Sequence, residues 1–259
     1  MTSIIKVQGL GEIVEVGGDF TQILDQLNYY GATLISPRDE AYARLQTRDA
    51  ERIGRSQGTW TRAGFEYVKG ELPVLVRESK LLDPELARQA VEANRQGRHF
   101  ATNSLDQYAQ SLAIAKEDES KDPKDRRAII LPSDTNFITS LERSPEVLQF
   151  LLQDQAEQYF RFNCEDPMNV YLVDRNTVPS KEGTTLTQLW FRYLGSRSGL
   201  NGNDRNLNCD DGSRGVRDGT SSDVTALSQK NLEDLIQNSI TTGEPLTFKG
   251  KKYKITLMK

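Results

Sequence analysis

Between Gly195 and Gly219 the chain reads GSRSGLNGNDRNLNCDDGSRGVRDG, a run with four apolar side chains, Leu200, Leu207, Cys209 and Val216. Fixing backbone costs about 1–2 kcal/mol per residue, and so little apolar surface cannot offset that through the segment's own contacts. Any single fold of this chain must therefore hold the segment from outside, through an ion, a partner macromolecule or the body of the protein. The first two predict a protein that works by binding. The third would remove that support.

The remainder is ordinary globular sequence. With 259 residues, 36% of them apolar and 27% charged, the chain can bury a substantial core as one large domain or two small ones. No apolar run approaches the roughly 20 residues that cross a bilayer, and MTSIIKVQGLGEIVEV has neither a basic lead-in nor a signal core, so we expect a cytoplasmic protein with no membrane partner. Cys164 and Cys209 are too few for a disulfide framework and are expected as thiols. A single histidine, His99, argues against zinc sites and most acid–base relays; it follows a helix end, where the dipole favours a cation or the ring packs. The net charge of −4 offers no global attraction for nucleic acid, so any such binding needs a local basic patch.

Local signals predict many elements. Residues 4–16 read as a hairpin around Gly9 and Gly11, and Asp19 caps a helix with Phe20, Ile23, Leu24 and Leu27 on one face and Gly31 at its end. After a short strand over 33–35, Ser36-Pro37 places a cap residue before a proline at the first helical position. Asp83-Pro84 repeats that signature, and Ser144-Pro145 predicts one long helix reaching about Phe160. Trp60 to Val76 suggests a second hairpin around Lys69-Gly70, and Ser104 to Gln107 a capping box. Strands over 128–131 and 170–173 flank the long helix as a β–α–β passage. Residues 185–194 fit a helix capped by Thr185 or a buried strand; we expect the helix. A helix capped by Ser228 and a closing hairpin around Gly250 complete the pass.

The expected class is α+β (mixed α/β). A hairpin-rich N-terminal part with helices (1–117) is followed by a linker (117–127) and a C-terminal part (128–259). The latter holds the long helix, the polar Gly/Asn/Arg loop and the terminal β-hairpin, unless the two parts pack as one domain.

Several constellations are chemical candidates. Asp134 and Asp174 each follow an apolar strand, and on parallel neighbours they would share Mg²⁺ for phosphoryl chemistry, but the spacing alone is weak support and capping a loop or turn is the commoner role of such an aspartate. Glu78 and Lys80 form an E-x-K triplet of the kind some metal-dependent nucleases use, with Glu66 or Glu71 as a further carboxylate. Asp204, Asn206, Asn208 and Asp210 alternate like the start of a Ca²⁺ loop, but Cys209 stands where that loop needs glycine and Gly215 where it needs glutamate. Arg197, Arg205, Arg214 and Arg217 among glycines suit a phosphate backbone or a partner surface. Lys249, Lys251, Lys252 and Lys254, with Lys259 beyond them, form the densest basic patch, fit to contact phosphates or to guard an edge strand.

Neither glycine-rich nucleotide loop nor G-x-S-x-G elbow is present. No cofactor is expected. The favoured function is a non-enzymatic binding or assembly subunit of a larger protein or protein–nucleic-acid complex, with other protein subunits as partners. The alternatives are a metal-dependent enzyme acting on nucleic acid or a phosphate ester, and a single-stranded nucleic-acid-binding protein.

Overall fold

A computed structural model describes residues 2–46, 58–163, 168–174, 176, 178, 182–192, 199–203, 207–209, 211–217, 246–248 and 251–253. Its elements, in chain order, are β1 (Ser3–Val7), β2 (Gly11–Gly18), α1 (Phe20–Tyr29), β3 (Thr33–Leu34), α2 (Pro37–Gln46), β4 (Thr59–Tyr67), β5 (Val74–Val76), α3 (Pro84–Arg95), β6 (Phe100–Ala101) and α4 (Asp106–Glu117). They continue with β7 (Ala128–Ile130), β8 (Phe137–Thr139), α5 (Pro145–Leu152), α6 (Ala156–Asn163), β9 (Met168–Tyr171), β10 (Thr185–Phe191), β11 (Gly199–Asn201), β12 (Asp211–Arg217), β13 (Leu246–Phe248) and β14 (Lys251–Tyr253). The class is α+β. Residues 1–218 form one unit and 219–259 another; the second contains the β13–β14 hairpin, with Leu246 opposite Tyr253.

The helices begin where local chemistry places them. Asp19 accepts from Gln22 N at 3.0 Å while Gln22 Oε1 accepts from Asp19 N at 3.0 Å, a reciprocal box that seals the start of α1. Gly31, at φ 65°, turns the chain out of that helix as a residue without Cβ does most easily. Ser36 Oγ accepts from Asp39 N at 3.0 Å at the start of α2, and Asp83 accepts from Glu85 N and Leu86 N at 2.9 and 3.0 Å at the start of α3.

Other expectations change. Ser144 has left-handed φ and makes no side-chain cap, and the long helix divides at Gln153 (φ 52°) into α5, a 3₁₀ turn and α6. At that division Asp154 takes a two-pronged contact from Arg38 of α2, at 2.8 and 3.1 Å. The Ser104–Gln107 box does not close: Ser104 Oγ accepts from Asp106 N at 3.0 Å, and Gln107 Oε1 is buried without a partner.

Two sheets organise the first unit. In sheet A the order is β1-β2-β12-β3, so the polar segment supplies a central strand rather than a loop, antiparallel to both β2 and β3. Sheet B has eight strands among the described residues, in the order β7-β5-β4-β10-β11-β9-β8, with β6 also paired to β10. Its strands come from both sides of 117–127. That stretch is tied down by the buried carboxylate of Asp118, which accepts from Lys121 Nζ at 2.6 Å and from Arg127 N and Nε at 2.9 Å. These hydrogen bonds hold the Asp118 carboxyl far below the usual carboxylate range.

Residues 185–191 are strand β10, not helix. Thr185, Thr187, Trp190 and Phe191 suit a pleated surface, β4 pairs along the strand's length, and Trp190 meets Trp60 across the pair at 4.7 Å between ring centroids. Both faces of β10 are covered, which erased the alternation that would have revealed it. One face of sheet B, with Ala63, Phe65, Tyr67, Leu189 and Phe191, packs on α5 and α6 through Leu148, Leu151 and Tyr159. On the other, Trp60, Leu186 and Trp190 join a core with α1 and α3, while Val74, Val76 and Ala128 pack under α4.

Candidate binding groove

The C-terminal half of α3 and the strand that follows it form a concave surface. Ala87, Ala90 and Val91 face the core, so Arg88, Gln89 and Glu92 are left on the outer side. Gly97, at φ 70°, reverses the chain. Asn94 braces the reversal: its Nδ2 donates to Arg98 O at 2.9 Å and its Oδ1 accepts from Leu207 N at 3.2 Å. The chain then enters β6, whose Phe100 and Ala101 pair with Leu186 and Thr185 of β10.

This return leaves a groove of about 750 Å³ with guanidinium and amide walls over Ala93 and the buried ring of Phe100. Its charges are unevenly satisfied. Arg88 meets Glu85 at 2.9 Å, and Glu92 meets Arg95 at 3.4 Å and accepts from Gln96 Nε2 at 3.0 Å. Arg98 instead donates to the neutral Oε1 of Gln96. His99 also lines the groove, at the helix end where the sequence placed it.

Of the four predicted arginines, the two among the described residues, Arg214 and Arg217, lie on β12. Arg214 is 7% exposed on β12, donating from Nη1 to Glu40 at 2.6 Å and from Nε to Glu15 at 2.9 Å. Arg217 donates from Nε to Glu12 at 2.5 Å. Instead of reaching toward a phosphate or partner, both are committed inside the protein, paired with glutamates that lie directly across from them on β2. The sequence did carry that signal, since Glu12 and Glu15 have the same three-residue spacing as Arg214 and Arg217. Glu40 also accepts from Arg44 Nε at 2.7 Å, and Arg44 continues to Tyr159 Oη at 3.1 Å and Arg192 O at 2.6 Å. Burial pushes the Glu40 carboxyl up, but the flanking Arg214 and Arg44 guanidiniums outweigh it and hold it below its ordinary value.

The question posed by the polar segment is thereby answered where it is described: the body of the protein holds it. Leu207 is buried and its carbonyl accepts from Phe20 N at 2.8 Å, β11 pairs with β9 and β10, and β12 pairs on both edges. Where it is described, the segment needs no external partner to offset the entropy cost of its order. Arg197, Arg205, Asp204, Asn206 and Asp210 lie outside the described residues, as do Lys249, Lys254, Lys259, Cys164 and the helix expected after Ser228. Asn208 sits in a turn beside the exposed thiol of Cys209, and Lys251 and Lys252 lie on β14.

The enzyme candidates are also placed differently from expectation. β7 and β9 are not parallel neighbours, because four strands separate them in sheet B. Asp174 accepts from Asn176 N and Nδ2 at 2.9 and 3.0 Å, a turn-holding role, and neither it nor Asp134 lacks a partner. Glu78 is paired with Arg62 at 2.8 Å on the exposed side, Ser79 caps the 3₁₀ turn that begins at Lys80, and Glu66 is buried. Among the described residues no three His, Cys, Asp or Glu side chains converge as a metal site. No described helix is long and apolar enough to cross a membrane.

No protein-family model and no curated protein matches the chain. A solved structure, described under "Accommodation of massive sequence variation in Nanoarchaeota by the C-type lectin fold", matches 82% of this chain and 100% of its own length, with a TM-score of 0.55 and 17% identity. The architecture is thus that of the C-type lectin fold. At this identity the likeness concerns fold alone.

Proposed function

We propose that this chain is a non-enzymatic binding protein, a subunit that takes an acidic, partly apolar segment of a partner protein into the groove at the end of α3. One observation carries the reading: Arg98, a cation with a neutral partner, lines the same groove of about 750 Å³ as the apolar Ala93 and Phe100. A volume of that order falls within the roughly 300–1,000 Å³ of ordinary ligand pockets. A guanidinium can grip a carboxylate with two parallel hydrogen bonds, and the floor accepts an apolar neighbour of that carboxylate. The fold of the similar structure is described as accommodating massive sequence variation, which fits a scaffold whose stability is separate from its recognition surface. Here the ion pairs of β2, α2 and β12 lie apart in sequence from the groove walls.

Photo-crosslinking tests this. A crosslinking residue at Gln89, in extract of the cells that make the protein, should give a discrete protein adduct that Arg98→Glu abolishes. The same residue at Lys6, on β1, should not. Identical adducts from both positions, or an adduct indifferent to Arg98→Glu, would remove the groove from consideration.

A further inference from the structure

Glu66 lies where a carboxylate is least expected. On β4, Ala63, Phe65 and Tyr67 point to the α5–α6 core, so Glu66 points to the opposite face, beneath α4. It is 1% exposed, and neither carboxylate oxygen has a hydrogen bond. Ser111 of α4, also buried, stands beside it. Gln107, one turn earlier on α4, has an unpartnered buried Oε1. On β10, Gln188 sends its Nε2 to Thr61 O and Ala63 O and likewise leaves Oε1 without a partner. Among these residues the buried side-chain atoms left without a partner are all oxygens that can accept a hydrogen bond. Protonating Glu66 adds the missing donor and removes a charge from a dry space.

The titratable groups around it do little to hold that charge. From the 3₁₀ turn after β5, Lys80 attracts the carboxylate but is itself exposed. From α4, Tyr108 directs its hydroxyl to Leu72 O at 2.7 Å, and its ionisation is opposed by Glu66 and by Glu71 of the β4–β5 turn. Neighbouring β5 contributes Val74 and Val76, and β10 contributes Leu186. Burial therefore prevails and pushes the Glu66 carboxyl up to about 7, against the pull of Ser111 and Lys80.

We infer that Glu66 is a pH-sensitive latch: protonated, it lets α4 close over sheet B, and ionised, it drives α4 to open. α4 is held otherwise by Tyr108 and Ala115, with Leu112 and Ile114 beside them, against Val68, Val74, Val76 and Ala128, by the Tyr108 hydroxyl on Leu72 O, and at its C-terminal end by Asp118; a charge buried under its middle opposes those contacts. The carboxyl is raised in the closed state from an ordinary value of 4.5. Closure is therefore strongest below pH 4.5, weakens as pH rises toward 7 and levels off above it. Between those limits the opening constant rises about tenfold per pH unit.

Hydrogen exchange of the full chain between pH 5 and 8.5, corrected for intrinsic rates, reads this directly. Protection of α4 amides should fall more than tenfold between pH 5 and 7 and then stay level, while α1 amides, under another part of the core, hold constant. Glu66→Gln should make α4 protection independent of pH. A ¹³C titration of the wild-type Glu66 carboxyl, which needs no variant to fold, should give a midpoint near 7. A midpoint near 4.5, equal α4 protection at pH 5 and 7, or a pH-dependent Glu66→Gln would each overturn the latch.

Discussion

Two glutamates, Glu40 on α2 and Glu66 on β4, are sealed from water to the same degree, 0% and 1% exposed, yet they are held in opposite charge states. Glu40 sits between the guanidiniums of Arg44 and Arg214, at 2.7 and 2.6 Å, and ionises in spite of its burial. Glu66 has an exposed lysine and a serine, and burial keeps its proton on to about pH 7. The contrast shows that depth sets the cost of a buried charge, and that hydrogen-bonded counter-charges decide whether the charge persists. It also separates the two halves of the molecule. The seam joining α2, β2 and β12 keeps its carboxylate ionised between two guanidiniums, whereas the α4 face of sheet B changes charge with pH.

The comparison breaks most easily at Glu40. Glu40→Gln leaves two buried guanidiniums without their shared anion, and urea unfolding at pH 7 should show a loss of about 3–5 kcal/mol. A loss below about 1 kcal/mol would mean that the seam does not depend on its charges. Glu66 should respond in the other direction. Because its carboxyl is raised when folded, wild-type stability is greatest below pH 4.5 and declines as pH climbs through 7. Glu66→Gln escapes that decline, so at pH 8 it should be the more stable protein by on the order of 2–3 kcal/mol, with the gap closing near pH 4.5. Equal stability of the two at pH 8 would contradict the contrast.

Smaller effects sharpen the boundary. Arg217→Ala removes a pair at the end of β12 whose side chains are 12% and 19% exposed, and thermal unfolding should register about 1 kcal/mol. Arg98→Glu changes a groove wall that has no part in either buried site. Its stability should stay within about 0.5 kcal/mol of wild type while crosslinking from Gln89 is lost.

How far the sequence could be read follows the range of the interactions involved. The Asp19 cap, the Asp83-Pro84 start and the β1–β2 hairpin depend on residues a few positions apart and are legible in sequence. The α5–α6 division was not, since no proline or glycine marks Gln153. β10 reads as a helix in sequence because burial on both faces removes the alternation that distinguishes strand from helix. The groove depends on β6, a two-residue strand that exists through its pairing with β10, and only His99 at a helix end hinted at that region. In sequence Glu66 reads as an accessory carboxylate for nuclease chemistry; its isolation under α4 depends on which face of β4 meets which helix.

By itself the sequence determined the α+β class, most helix starts and the hairpins, because capping groups and apolar periodicity act within a turn or two of chain. The tertiary structure alone decided that β12 would be drawn between β2 and β3, more than 190 residues from its partner glutamates on β2, and that one buried carboxylate would find guanidiniums while another would not. Long-range pairing is chosen by the sum of many weak contacts across the whole core. A polar segment read in isolation carries no record of that sum.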